Sequence, residues 1–409
     1  MSSGGFETLP NGASSTIKPW RVDIPQESLD ELNVLLKRTP LAPPTYENSL
    51  PDAEDRHLGV RRDWLTAAKK HWEDGGFDWR KKEEYINTFP HFKAQIHDDA
   101  LSSDFDIHFV ALFSKRSDAI PIVFVHGWPG SFLEFLPMLE LLRSRYKTAD
   151  ELPYHLIVPS LPGYTFSSAP PLDKNFTIDD AARLFDRLIV HDLGLSAYVA
   201  QGGDVGGRVA RSLASQYEHC KAAHLNTAPM PAPDPSRLQS PISALEHEGI
   251  ERGNQFTQTG SAYAIEHATR PSTIGFVLSS SPVALLAWIG EKFRDWTDAD
   301  PPLDTILESV ALYWLTNCAA TSLWSYRQVF GPDAQTHSSE KWYIGKPFGF
   351  SWFKKEISPV PKAWVELTGN LVFHRQHDKG GHFAALEHPQ VLWDDVEQFL
   401  AQVRGQCGF

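Results

Sequence analysis

At 409 residues, with 42 % apolar and 22 % charged side chains, the chain is long enough for a sizeable core and ordinary enough in composition to exclude a disordered or fibrous protein. Acidic residues outnumber basic ones by 51 to 38, and a net charge of −13 with no basic run argues against nucleic acid or an anionic membrane surface as partner. The three cysteines, Cys220, Cys318 and Cys407, are too dispersed for a disulfide framework or a metal cluster, which fits a reducing compartment.

Taken in chain order, the first fifteen residues lack the basic and apolar regions of a secretory leader. Leu29, Leu32, Leu35 and Leu36 follow helical spacing behind Pro25. Pro40, Pro43 and Pro44 then break the chain, and Trp64, Trp72 and Trp79 recur in a further helical stretch. Residues 1–90 therefore read as a helical, aromatic wrapping segment that carries no chemistry. The period then shortens to two. Phe92, Ala94 and Ile96 alternate, followed by Phe105, Ile107, Phe109, Ala111 and Phe113, which predicts an antiparallel pair whose second strand is half exposed. Apolar runs bounded by turns come next at 120–125, 156–158, 198–200 and, more weakly, 222–225, with helical stretches at 132–145 and 178–190 between them. Strands alternating with helices predict an α/β fold with a mostly parallel sheet covered on both faces, its first part at 91–231.

From 232 to 343 the strand pattern disappears and helical signals such as 304–326 dominate. Strand runs resume at 347–353 and 370–374, so a helical cap is inserted between core strands and residues 344–409 complete the core. Residues 271–290 carry no charge and have the length of a membrane span. Ser281 before Pro282 reads instead as an N-cap and a first helical residue, which predicts two short buried segments.

The strongest chemical signal is Gly202-Gly203-Asp204-Val205-Gly206, placed between an apolar strand and a helix rich in small residues. Small-x-nucleophile-x-small at such a turn is the nucleophile elbow of the α/β-hydrolase fold. Its small residues tolerate a strained turn, and its nucleophile projects at a helix N-terminus that favours an anion. An aspartate in place of serine changes the reaction class: a carboxylate displaces leaving groups at saturated carbon and leaves an ester to be hydrolysed. His126-Gly127-Trp128-Pro129 directly follows strand 120–125, so the backbone N–H groups of Trp128 and Val205 are the expected oxyanion hole. His382, presented by Gly380-Gly381 after the last strand, is the candidate base over His374, His377 and His388. Glu356 follows strand 347–353, where the nucleophile–acid–histidine order places the acid, with Glu366 and Asp378 as rivals.

The segments HGWPGSFLEF, QGGDVGG, GGHFAALEHP, LPGYTFSSAP and RPSTIGFVLSSSPVALLAWIGEKF closely resemble the epoxide hydrolases of the microsomal type, nearest to their soluble fungal members, from about residue 19 to 399. The resemblance implies an enzyme, a hydrolase acting on ether bonds, that converts epoxides to vicinal diols in detoxification or aromatic hydrocarbon catabolism. It implies Asp204 as nucleophile, His382 as general base and Glu356 as the charge-relay acid. It further implies two cap tyrosines that donate to the epoxide oxygen, which by motif context fall on Tyr263 and Tyr326, with Tyr313 and Tyr343 as rivals. A phenol with a pKa of about 10 donates to an alkoxide while remaining protonated at neutral pH. A small apolar epoxide and water are the expected substrates, with no cofactor or metal; GxGxxG, GxxxxGK[ST] and HExxH patterns are absent. The resemblance implies a soluble homodimer, and with the reducing compartment that the cysteines suggest, a cytoplasmic one is expected. The rival reading is a haloalkane dehalogenase with the same Asp attack, but Val205 stands after the nucleophile where an indole N–H would hold the halide, and Trp128 supplies one indole at most.

Overall fold

The computed structural model describes residues 4–52, 56–331 and 334–409. Among these, nine strands form one sheet in the order β1-β2-β3-β5-β4-β6-β7-β8-β9. The strands are β1 (Ile17–Trp20), β2 (His91–Asp98), β3 (Ser103–Leu112), β4 (Ile120–Val125), β5 (Tyr154–Pro159), β6 (Tyr198–Gly202), β7 (Cys220–Leu225), β8 (Ile344–Lys355) and β9 (Gly369–Gly381). The pairings from β1 through β3 to β5 are antiparallel, and those from β5 to β9 are parallel. The parallel strands explain the unbroken apolar runs: every residue of β4 and β5 is buried, because helices cover both faces. The helices that pack on the sheet are α4 (Leu136–Arg145), α5 (Ile178–Arg187), α6 (Asp204–Gln216) and α15 (Pro389–Cys407).

The N-terminal segment supplies α1 (Gln26–Arg38), α2 (Arg62–Glu73) and α3 (Trp79–Ile86). Trp64 and Trp72 thus lie on one helix and Trp79 opens another. The segment is not purely helical, because β1 adds a four-residue edge strand to β2. That strand, IKPW, is too short to show alternation and carries Pro19, which only an edge accommodates. The half-exposed reading of β3 holds only for its first residues; from Ile107 onward every residue is buried, because β3 passes between β2 and β5 beneath covering elements.

Between β7 and β8 lie α7 (Ala244–Thr259), α8 (Ala262–Thr269), α9 (Pro271–Leu278), α10 (Pro282–Asp295), α11 (Leu303–Leu315) and α12 (Arg327–Phe330). The Ser281 side chain accepts the N–H of Ala284, so the charge-free stretch is two helices, α9 and α10, bent by 113°. No single helix among the described residues is long and apolar enough to cross a membrane. The helical signal at 304–326 divides as well: α11 ends at Leu315, Asn317 turns with φ +52°, and a separate 3-10 turn runs Thr321–Tyr326. Two short helices, α13 (Lys362–Val365) and α14 (Ala384–Glu387), flank β9. That strand is much longer than the 370–374 signal, since pairing with β8 continues to Gly381. Asp378 therefore lies in a strand and not in the loop beside His382.

Candidate active site

The elbow depends on close backbone approach. Asp204 opens α6 directly after Gly203, with φ +49°, a left-handed conformation that costs a non-glycine residue about 1–3 kcal/mol. A side chain at Gly206 would place its Cβ 1.9 Å from the Val125 carbonyl oxygen, so α6 can lie against the end of β4 only with glycine there. The carboxylate is thereby held at the C-terminal edge of the parallel strands and at a helix N-terminus, where the dipole favours negative charge.

The Trp128 N–H donates to Asp204 Oδ1 at 2.8 Å. Burial alone would raise the Asp204 pKa, but His382, and then the N–H groups of Val205 and Trp128, outweigh it and hold the carboxyl below its usual range. The carboxylate is therefore ionised at neutral pH, as attack on carbon requires, and its Oδ1 rests on the Trp128 N–H, one of the two donors expected to form the oxyanion hole. His126, the first residue of that loop, accepts the Leu161 N–H on Nε2 at 3.1 Å and ties the loop to the chain after β5.

His382 lies just past β9. Its Nδ1 is 2.8 Å from Glu356 Oε1 and its Nε2 is 3.6 Å from Asp204 Oδ2. Burial disfavours the imidazolium, yet Glu356 and Asp204 together raise the His382 pKa well above its ordinary value. Glu356 is held in turn by the Ile357 N–H, which donates to Oε1 at 2.7 Å. The rivals lie elsewhere: His377 pairs with Asp395 at 2.6 Å, and Glu366 pairs with Lys362 and accepts from Ser240.

Three residues that sequence reasoning did not single out fix this arrangement. Arg252 of α7 donates from Nε to the Glu356 carbonyl at 2.8 Å and from Nη2 to the Lys355 carbonyl at 3.1 Å. The His382 backbone N–H donates to the Trp296 carbonyl at 2.8 Å, and the Trp296 ring meets the imidazole edge-on at 4.9 Å. Glu387 accepts the N–H groups of Gly381, Phe383 and Asp298 at 3.1, 3.2 and 2.7 Å, clamping the histidine loop to the end of α10. Only Glu387 had a local signal, since it sits five residues beyond His382 in GGHFAALE.

On the cap side, Tyr263 of α8 and Tyr326 at the end of its 3-10 turn meet edge to face with centroids 5.8 Å apart. Trp128 stacks on Tyr263 at 5.3 Å and meets Tyr326 edge-on at 5.7 Å, which places both phenols over the loop 126–129. Burial is the main cause, and the charge of Asp204 a further one, that raises both phenol pKa values, so both stay protonated. Tyr326 Oη is buried and makes no hydrogen bond of normal geometry among the described residues. The rivals are otherwise engaged: Tyr313 Oη donates to the Gly130 carbonyl at 2.8 Å, and Tyr343 is 54 % exposed. Beside Asp204 and His382 lies a cavity of about 20 Å³, room for one water, whose wall includes Glu134 and Asn226. Among the described residues no three His, Cys, Asp or Glu side chains converge as a metal site. An anionic carboxylate facing protonated phenols on one side and a carboxylate-backed imidazole on the other can be alkylated by an electrophilic carbon, and the resulting ester can then be hydrolysed.

Residues 17–135 match the family described as epoxide hydrolase N terminus, and residues 120–252 match the alpha/beta hydrolase fold family. The chain is 30 % identical over 431 residues to epoxide hydrolase 1 of Sus scrofa, covering 96 % of this chain and 90 % of that protein. The solved structure of Aspergillus niger epoxide hydrolase is 49 % identical, with a TM-score of 0.91 over 98 % of this chain and 100 % of that one. Juvenile hormone epoxide hydrolase from the silkworm Bombyx mori, at 24 % identity and a TM-score of 0.81 over 99 % of this chain and 100 % of that one, shares the fold.

Proposed function

The chain belongs to the epoxide hydrolase family, and on that premise we propose that it converts an epoxide to a vicinal diol through an ester on Asp204. The observation that carries this reading is the placement of one ionised carboxylate between the His382–Glu356 pair and the Tyr263–Tyr326 pair. In the first step an Asp204 oxygen attacks an epoxide carbon, the C–O bond breaks, and the leaving oxygen takes a proton from the tyrosine pair. Asp204 cannot supply that proton because it must be ionised to attack.

Alkylation also prepares the second step. It removes the Asp204 charge, one of the two carboxylates that raise the His382 pKa, so the imidazolium gives up its proton, which neutralises the phenolate left by ring opening, and His382 becomes free to act as a base. His382 then takes a proton from water, whose oxygen adds to the ester carbon. The negative charge that forms on the Asp204 oxygen faces the N–H groups of Trp128 and Val205, the kind of donor whose loss costs about 10²–10³ in rate. Collapse breaks the bond to the alkyl oxygen, which leaves with the proton from His382. The proton shed as Asp204 re-ionises returns to His382 and restores the starting state.

A single turnover in isotopically heavy water, followed by digestion and weighing of the Asp204 peptide, tests this route. Heavy oxygen should enter the Asp204 carboxylate; its appearance in the diol alone, after many turnovers, means that water attacks the epoxide directly. Release of chloride from a chloroalkane would favour a dehalogenase instead. The free, buried thiols of Cys220, Cys318 and Cys407 support a reducing compartment such as the cytoplasm, which fractionation of the native source checks. Sedimentation of the pure protein decides the homodimer that belongs to this reading.

A further inference from the structure

Glu134 is an acidic side chain that the two-step route does not use, yet it stands in the wall of the water-sized cavity beside Asp204 and His382. It arrives on the 3-10 turn Phe132–Phe135, which follows the oxyanion loop and is capped by the Ser131 side chain accepting the Leu133 N–H at 3.2 Å. Its carboxyl folds back over Gly130: a Cβ at that position would lie 1.2 Å from Glu134 Oε1, so only glycine leaves the space free. Tyr313 anchors the same glycine through its carbonyl. On its other side Glu134 borders a second cavity of about 190 Å³, whose wall includes Tyr85, Glu308 and Leu386, and Tyr85 is 39 % exposed there. The residue thus stands between an outward cleft and the space next to the reacting ester.

Resting on the ester route above, we propose that Glu134 holds the hydrolytic water, accepting a hydrogen bond from one of its hydrogens while His382 removes the other as a proton. A water held by His382 alone is free to swing about that single contact; a second acceptor aims its lone pair at the ester carbon. The atom balance is that of ordinary ester hydrolysis: the water oxygen bonds to the Asp204 carbonyl carbon, its proton passes through His382 to the departing alkyl oxygen, and Glu134 gains and loses no atom. Charge makes the same carboxyl harmless in the first step. Burial, opposed by His382 and aided by Asp204, pushes Glu134 up to about 8, so a neutral acid faces the anionic nucleophile. The other titratable groups around it are Tyr164 and Tyr313 toward the site, and Tyr85 and Glu308 across the second cavity. Once Asp204 is esterified, its charge no longer opposes ionisation of Glu134, and the ionised carboxylate is the better acceptor.

The test separates the two half-reactions by stopped-flow kinetics and intact mass. Glu134→Met should slow ester hydrolysis by about tenfold or more and leave alkylation within about threefold, so that ester accumulates during turnover. Glu134→Gln keeps a carbonyl acceptor and should recover most of the hydrolysis rate, without the pH dependence that ionisation of Glu134 adds. A merely structural Glu134 would predict a lower unfolding midpoint for Glu134→Met and an equal loss in both steps; either that equal loss or wild-type hydrolysis overturns the proposal. Should Glu134→Met not fold, Glu134→Asp, one methylene short of the water, must show the same split between steps. The ester route itself fails separately: if His382→Gln traps no adduct on Asp204, that reading is wrong whatever the Glu134 variants do.

Discussion

Replacing Tyr326 or Tyr263 by phenylalanine removes one donor to an oxygen that becomes negative as the ring opens. A hydrogen bond to a charged group contributes about 1.5–3 kcal/mol, which at 1.36 kcal/mol per decade slows alkylation about 10- to 150-fold. The structure adds a second, opposite expectation for stability. Tyr326 Oη is buried with no hydrogen bond of normal geometry among the described residues, so its removal strands no partner, and Tyr326→Phe should unfold no earlier than the parent. Tyr313→Phe is the mirror case. It strands the Gly130 carbonyl that accepts at 2.8 Å, and should lose about 1–2 kcal/mol of stability while keeping the alkylation rate. Tyr343→Phe, at an exposed position, should change neither. The assay is stopped-flow alkylation under single-turnover conditions, beside thermal unfolding of the same four variants. Retention of the full rate by both Tyr263→Phe and Tyr326→Phe would refute the assignment of the leaving-oxygen donor, and loss of rate in Tyr313→Phe without loss of fold would move it to that residue.

Glu356→Gln should slow ester hydrolysis about five- to tenfold; because the charge of Glu356 raises the His382 pKa, its removal should also shift the acid limb of that step to lower pH, readable in a pH–rate profile. Gly206→Ala drives a methyl group to 1.9 Å from the Val125 carbonyl, between backbone segments that cannot yield separately, and should cost at least about 1–3 kcal/mol in chemical denaturation together with most of the activity. Acid should destabilise the fold before the carboxylates titrate. Burial holds His91, His126 and His224 neutral, each with a pKa lowered to about 4, so each contributes stability that is complete above the unfolded value near 6.5 and is lost as pH falls through 4. The loss amounts to about 1.4 kcal/mol per pH unit for each histidine, and denaturation midpoints that stay flat between pH 7 and 5 would exclude it.

What the sequence by itself determined lies where local chemistry and local structure coincide. Unbroken apolar runs marked β4, β5 and β6 because strands buried on both faces have no polar side to show. Ser281-Pro282 marked the break between α9 and α10 because a cap needs only its own next residues. The aspartate elbow and the glycine-presented histidine were legible because each motif carries its strain and its reactive group within a few residues, and the family's chain order then limited the search for an acid to the stretch after β8.

The tertiary structure decided the rest, wherever the partner is distant in sequence. β9 runs on to Gly381 because β8 continues to pair with it, and no pattern within HRQHDKGG announces a strand. Arg252 holds the Glu356 loop from across the cap, 104 residues away in sequence, and Trp296 takes the His382 N–H from the end of α10; as isolated residues both look like ordinary helix positions. Tyr313 sits in the apolar run 310–315 and Tyr326 between Ser325 and Arg327, so the sequence already set them apart; the fold supplies the reason, a Gly130 carbonyl that accepts from Tyr313 at 2.8 Å. Glu134 is the sharpest instance: in FLEF it is a polar residue on an apolar turn, and only the assembled fold places its carboxyl over Gly130, beside a nucleophile 70 residues later, because burial and electrostatic coupling belong to positions in space and not to spacing along the chain.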